Sequence, residues 1–282
     1  MFGERLPLAG ETVNCHAFAE AHGGKGANQA IAARRLGSET TFIARLGQDP
    51  IGQAALNLFL AEGIDTNYLI MDSGDQTGVG FIIVDKAGIQ LITTFAGASF
   101  NLTVKDLNRA ERAIKMASVL LLQGEIDPQT SMAAAKLAGD HTMVILDPSP
   151  VEAFGDRCLF EEIDILTPNE QEAAWLTKSA QTTAMDVSRV TNVPIILLTR
   201  GERGVEVFDN GKAYKIPAPP TQVVDTTGAG DAFNGALAAG LDRGLSIRIA
   251  VRNACNYASL SVSKRFCIPS YARSEEFCWV IE

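Results

Sequence analysis

Two runs in this chain are apolar at every position, Val119-Leu120-Leu121-Leu122 and Ile195-Ile196-Leu197-Leu198. A strand with one wet face alternates apolar and polar residues. An unbroken apolar run therefore asks for cover on both faces, as helices give a parallel sheet. Further β-rich runs lie at 41–45, 79–84, 90–95, 143–147, 163–167, 205–208 and 212–216. Stretches with helical spacing alternate with them at 27–36, 52–61, 104–116, 129–138, 170–176, 184–191, 231–241, 247–263 and 274–279. The alternation predicts an α/β fold: a doubly wound, mostly parallel sheet with helices on both faces and right-handed crossovers. Two segments, 11–21 and 77–95, read as extended without crossover helices, the second turning at Lys86-Ala87-Gly88. They predict a small β-flap or lid outside the main layers.

Composition narrows the function classes. The chain has 282 residues, 46% hydrophobic and 20% charged, as a globular enzyme does. A net charge of −9 with no Lys/Arg cluster argues against nucleic acid and anionic membranes. No apolar run approaches the roughly 18 residues of a membrane span. The start, Met1-Phe2-Gly3-Glu4-Arg5-Leu6-Pro7, lacks a signal-peptide core. Cys15, Cys158, Cys255, Cys267 and Cys278 show no C-x-x-C spacing, which predicts free thiols and a reducing, cytoplasmic location. His16, His22 and His141 are too dispersed for a zinc site.

In an open α/β sheet, ligands collect at the carboxyl ends of the strands. Polar residues follow the strand candidates at Gln123-Gly124-Glu125, Asp147-Pro148-Ser149, Thr167-Pro168-Asn169-Glu170 and Thr199-Arg200-Gly201. The strongest local signal is Asp225-Thr226-Thr227-Gly228-Ala229-Gly230-Asp231 ahead of an Ala/Leu-rich helix. Gly228 and Gly230 let amides turn inward at a helix start, which makes an anion pocket. A carboxylate beside such a pocket repels phosphate, so Asp231 reads as a general base for an attacking hydroxyl. A plain helix cap remains the simpler alternative. His22-Gly23-Gly24-Lys25-Gly26-Ala27-Asn28 is a second Gly-rich turn, with Lys25 and Asn28 as hydrogen-bond donors. It has neither P-loop spacing nor Gly-x-Gly-x-x-Gly, so a nicotinamide cofactor has no support. Asn169 and Glu172 suit Mg²⁺ waters or equally a helix cap. Thr199 through Gly204 suits a nucleotide or a simple hairpin turn.

In this order, the elements resemble the ribokinase-like (PfkB carbohydrate kinase) family over nearly the whole chain, as one domain, 1–282, with lid segments at about 11–21 and 77–95. Asp225 to Asp231 resembles the family's C-terminal signature. Gly23-Gly24-Lys25-Gly26-Ala27-Asn28, Leu121-Leu122-Gln123-Gly124-Glu125 and Thr167-Pro168-Asn169-Glu170 are similar to its ribokinase branch. The resemblance implies transfer of the γ-phosphate of ATP, with Mg²⁺, to the terminal 5-hydroxyl of a pentose, D-ribose first. It implies Asp231 as base, with Gly228, Ala229, Gly230 and the Thr227 amide as anion hole. It places Gly24, Lys25, Asn28 and Glu125 at the sugar, and Asn169, Thr199, Gly201, Gly204 and Asn256 at the nucleotide. It puts Glu172 at the Mg²⁺-linked position, and Asp225, Thr227 and Ser270 at a potassium site. A homodimer through the flap is implied as well.

Two departures temper the likeness. In the family an opening strand ending in a Gly-Ser-x-Asn-x-Asp-like stretch precedes the segment matching Arg5-Leu6-Pro7, so this sequence reads as starting after it. No residue here replaces that sugar-binding Asp. A carboxylate–hydroxyl contact of about 1.5–3 kcal/mol would be missed, and sugar affinity is expected to fall accordingly. Second, Ser263-Lys264-Arg265-Phe266-Cys267-Ile268-Pro269-Ser270 stands where the family has Gly-Ala-Gln-Pro-Ser. Phe266 in the glycine's place predicts a distorted loop and a weakened potassium site. The alternatives are a kinase of the same fold for deoxyribose, another sugar or a nucleoside, or an impaired sugar- or nucleotide-binding protein.

Overall fold

The computed structural model describes residues 1–154 and 160–282. The first elements are β1 (Phe2–Gly3), β2 (Cys15–Ala17), α1 (Lys25–Arg35), β3 (Ala44–Gly47), α2 (Pro50–Ala61) and β4 (Leu69–Asp72). Then come β5 (Val79–Val84), β6 (Gln90–Phe95), α3 (Val104–Met116), β7 (Val119–Gln123), α4 (Pro128–Leu137), β8 (Met143–Asp147) and β9 (Ile165–Leu166). The remainder holds α5 (Glu170–Thr177), α6 (Ala184–Thr191), β10 (Ile195–Thr199), β11 (Val205–Asp209), β12 (Lys212–Ile216), α7 (Ala229–Asp242) and α8 (Ile247–Ser261).

A six-stranded sheet in the order β12-β11-β10-β9-β8-β7 forms the centre. β7 to β10 are parallel, while β11 and β12 close one side antiparallel. Register explains the uninterrupted apolar runs. Leu121, Ile145, Ile165 and Ile195 lie side by side across the strands, and so do Leu122, Leu146, Leu166 and Ile196. Because side chains alternate across a pleat, the first row faces the core under α1, α7 and α8. The second row faces the core under α3, α4 and α6. Both faces are buried, as the runs require.

The same register places Gln123 beside Asp147 at the carboxyl ends of β7 and β8. Above that edge, α1 crosses α7 closely because Gly235 has no side chain. A Cβ there would meet the Ala32 Cβ at 2.5 Å and the Gln29 carbonyl oxygen at 2.7 Å. The crossing brings the first turns of both helices together.

The two extended segments meet in a four-stranded sheet of order β2-β1-β5-β6. Its exposed residues include Phe81, Leu91, Ile92 and Phe95, and Phe18 beside β2 is exposed too. Some local expectations shift. Segment 11–21 contributes only the three residues of β2, and 41–45 pairs two residues later, as β3. β4 had no expectation; it pairs in parallel with β3. The helix expected at 274–279 is a single 3₁₀ turn at Ser274–Glu276, because Phe277 and Trp279 turn into an aromatic stack with Tyr257. Cys15, Cys255, Cys267 and Cys278 are free thiols, while Cys158 lies outside the described residues. Among the described residues no helix is long and apolar enough to cross a membrane.

Candidate active site

Asp231 sits in the first turn of α7, 5% exposed, and both of its oxygens are engaged. Asn28 Nδ2 donates to Oδ2 at 2.8 Å, and Gln29 Nε2 donates to Oδ1 at 3.1 Å. The Gln29 amide also donates to Asp147 Oδ2 at 2.9 Å, while its oxygen accepts from Gln123 Nε2 at 2.7 Å. Lys25 Nζ lies 3.6 Å from Asp147 Oδ2, and the Lys25 backbone amide donates to Glu125 Oε2 at 2.7 Å. Lys25, Asn28, Glu125 and Asp231 therefore form one cluster, together with Gln123 and Asp147, which the sequence placed at strand carboxyl ends without assigning a role, and Gln29, which it did not select. Asp147 carried a usable signal, being an acid at the carboxyl end of a buried strand. Gln29 carried none beyond its place on the apolar face of α1.

The electrostatics follow from burial. Asp147 is pushed up to about 7, chiefly by loss of water, with Lys25 pulling the other way. Burial also raises Glu125 and Glu172. It works against the Lys25 ammonium, yet Asp147, Asp231, Glu125 and Glu172 outweigh it and hold the charge. One cation thus stands among four carboxylates. Asn28 Oδ1 is buried in this cluster without a hydrogen-bond partner.

Gly228 caps α7 at φ +77°, in the left-handed region. The Thr227 amide donates to Asp225 Oδ1 at 2.9 Å, and the Ala229 amide donates to the Thr226 carbonyl at 3.2 Å. These two amides serve the loop itself. Amides of a helix's first turn have no acceptor within the helix, which leaves those of Gly228, Gly230 and Asp231 without one there. A Cβ at Gly230 would meet nothing within 4 Å, so that flank is open.

Phe266 stands in the left-handed region, where a bulky side chain is uncommon. It adopts φ +64°, the conformation a glycine would take, and its amide donates to Asp225 Oδ2 at 3.0 Å. Ser270 Oγ donates to the Cys267 carbonyl at 2.6 Å. Asp225 and Ser270 are thus both engaged in closing these loops.

At the ends of β9 and β10, Asn169 and Glu172 form a capping box. Asn169 Oδ1 accepts the amides of Gln171 and Glu172, both at 2.9 Å, and Glu172 Oε2 accepts the Asn169 amide at 2.8 Å. Asn169 bridges to Thr199 in parallel. Gly201 (φ +57°) has open space where a side chain would stand, whereas Gly204 is packed on the Ile216 carbonyl. Asn256 is half-buried on α8, the helix packed along α7.

The family model for the pfkB family carbohydrate kinases matches residues 2–273. The chain belongs to that family. It is 36% identical over 263 residues to the ribokinase of Haemophilus influenzae, covering 91% of this chain and 86% of that one. Among solved structures it is similar to a Thermotoga maritima ribokinase, with a TM-score of 0.89 and 30% identity over 98% of this chain and 92% of that one. It is also similar to an Arabidopsis thaliana ribokinase complexed with ribose and ATP, with a TM-score of 0.83 and 31% identity over 98% and 93%. A pfkB carbohydrate kinase is a phosphotransferase, and the ribokinase-like α/β fold accords with these neighbours.

Proposed function

We propose that this kinase transfers the γ-phosphoryl group of ATP to the 5-hydroxyl of a pentose, with D-ribose as its sugar. The observation that carries this reading is the Asp231 carboxylate, held by Asn28 and Gln29 beside a Gly228–Gly230 turn that is open at Gly230. Asp231 takes the proton from the attacking hydroxyl as oxygen bonds to phosphorus, and ADP departs with the electron pair of the broken bond. Amides of Gly228 and Gly230 stabilise charge on the moving group. Lys25, Asn28, Glu125 and Gly24 hold the sugar. Asn169, Thr199, Gly201, Gly204 and Asn256 hold the nucleotide.

Among the described residues no group of three or more His, Cys, Asp or Glu side chains could hold a metal ion by itself. That suits Mg²⁺, which keeps its waters and is carried mainly by phosphate oxygens. Glu172 is the residue placed to orient those waters, and Mg²⁺ when bound neutralises phosphate charge. Asp225 accepts one amide on each oxygen and Ser270 Oγ spends only its hydrogen on its loop, so both keep lone pairs toward potassium. The reading includes no potassium step.

The exposed Phe81, Leu91 and Phe95, which the pairing register puts on one face of the flap sheet, support a homodimer through that face. Sedimentation of Leu91→Lys as a monomer would agree. The free thiols support a cytoplasmic setting. Coupled ADP release with D-ribose and Mg²⁺-ATP, beside 2-deoxyribose, tests the main reading. Ribose-dependent turnover is expected; turnover of 2-deoxyribose alone would move the substrate, and silence with every pentose would end the reading.

A further inference from the structure

Gly228 and Gly230 lie on either side of Ala229, and three contacts hold the first of the two peptide groups between them, the link from Gly228 to Ala229. The Gly228 carbonyl accepts the Ala232 amide at 2.8 Å and the Tyr271 hydroxyl at 3.0 Å. At the other end of the same planar unit, the Ala229 amide donates to the Thr226 carbonyl at 3.2 Å. Two of these contacts come from the loop and helix themselves. The third comes from a side chain 43 residues away.

Tyr271 is itself held. It is 2% exposed, and its ring packs at a tilt on Tyr257 with centroids 6.2 Å apart. Arg35 Nη1 donates to the carbonyls of Ile268 and Tyr271, at 2.6 and 2.9 Å. Glu62 in turn holds the Arg35 guanidinium through both carboxylate oxygens. Helix α1 thus carries Lys25 and Asn28 at one end and braces the Tyr271 segment from the other. Burial keeps the phenol protonated, so the hydroxyl remains a donor. A Cβ at Gly228 would lie 2.9 Å from the Tyr271 oxygen and 2.7 Å from Cys267 Sγ, so glycine is needed for this approach.

We propose that Tyr271 is a positioning residue for phosphoryl transfer: its hydroxyl fixes the Gly228–Ala229 peptide plane and thereby steadies the two adjoining peptide groups, which carry the Gly228 and Gly230 amides. Glycines rotate freely, so amides beside them face one direction only when the plane next to them is held. The inference rests on the reading of this turn as the anion hole. Tyr271→Phe removes the hydroxyl alone. The Gly228 carbonyl keeps the Ala232 amide, so no buried acceptor is orphaned and the fold should stand.

The expected result is a kcat lower by about five- to tenfold, the scale of one lost hydrogen bond, with both KM values within about twofold. Calorimetry with Mg²⁺-ADP plus aluminium fluoride, a mimic of the transferring group, should lose the same factor, while Mg²⁺-ADP alone binds as before. Tyr257→Phe is the control. Its hydroxyl donates to the Ala272 carbonyl at 2.7 Å in the same aromatic cluster but does not reach the turn. It should lower the melting temperature comparably and leave kcat alone. Full kcat in Tyr271→Phe, or an equal kcat loss in Tyr257→Phe, would overturn the inference. Assayed alongside, Asp231→Asn separates two kinds of failure. Undiminished turnover there removes the anion-hole reading and this inference with it, whereas an inactive Asp231→Asn beside a fully active Tyr271→Phe removes the inference alone.

Discussion

Asp231 meets Asn28 and Gln29 across 203 and 202 residues of chain, while Asn169 meets its partners, Gln171 and Glu172, across 2 and 3. Both belong to the candidate site, yet they are built differently. The cluster around Asp231 exists because two helices cross and a parallel sheet aligns its carboxyl ends. The turn at Asn169 exists because a short side chain caps the helix that follows it. A site wired over long distances should fail when packing changes far away. A site made of local turns should tolerate that and respond only to changes in its own few residues.

The largest expected effect tests the long-range half directly. Asp231→Asn should keep the fold and cut turnover by about 10² or more, the scale of general-base catalysis, as read in the coupled ADP assay. A mild loss would mean the base is another residue.

Next, Gly235→Val should push α1 from α7, since a Cβ there already meets Ala32 at 2.5 Å. Overpacking of this kind costs about 1–3 kcal/mol. Urea denaturation should show that loss, and sugar KM should rise with it, because Asn28 loses its position against Asp231. An unchanged KM would show that the cluster does not depend on the helix crossing.

Asp147 supplies a pH test. Its native pKa of about 7 lies above the ordinary carboxylate value, so the native state holds a proton that the unfolded state has lost. Protons bound preferentially by the native state make stability fall as pH rises. This group's contribution is therefore present at about pH 4 and fades as pH rises through about 7. Asp147→Asn should flatten the fall in urea midpoint over that window. An unaltered slope would place the titration elsewhere.

The smallest effect belongs to the local half. Asn169→Ala should cost about 1 kcal/mol, the usual worth of a cap, and raise the KM for ATP more than that for the sugar. A turnover loss rivalling that of Asp231→Asn would erase the contrast between the halves.

The local half was legible along the chain. Asn169 three residues before Glu172, and glycines around Arg203, are patterns that neighbouring residues complete among themselves. The simple readings, a helix cap and a turn, hold in the structure, and they leave the site reading open as well. The glycine turn at Gly228 and the acid opening α7 were equally legible. Phe266 was not. Its side chain argued for a distorted loop, and what the sequence could not show is that the Asp225 carboxylate takes up its amide in the left-handed conformation, a contact across 41 residues. β4 also escaped notice, because Leu69-Ile70-Met71-Asp72 is short and carries no alternation.

Pattern along the chain was enough for a doubly wound sheet, because strands covered on both faces must be apolar throughout and helices between them must carry one apolar stripe. It was enough for Gly228, Gly230 and Asp231 too, since backbone freedom beside a carboxylate is a property of adjacent residues. Folding was needed to bring Gln29, Gln123 and Asp147 beneath Asp231, and to bring Tyr271 against Gly228. Those contacts depend on where helices cross and which strand ends align. A buried glutamine or tyrosine looks the same in sequence whether it fills a core or holds a site in place.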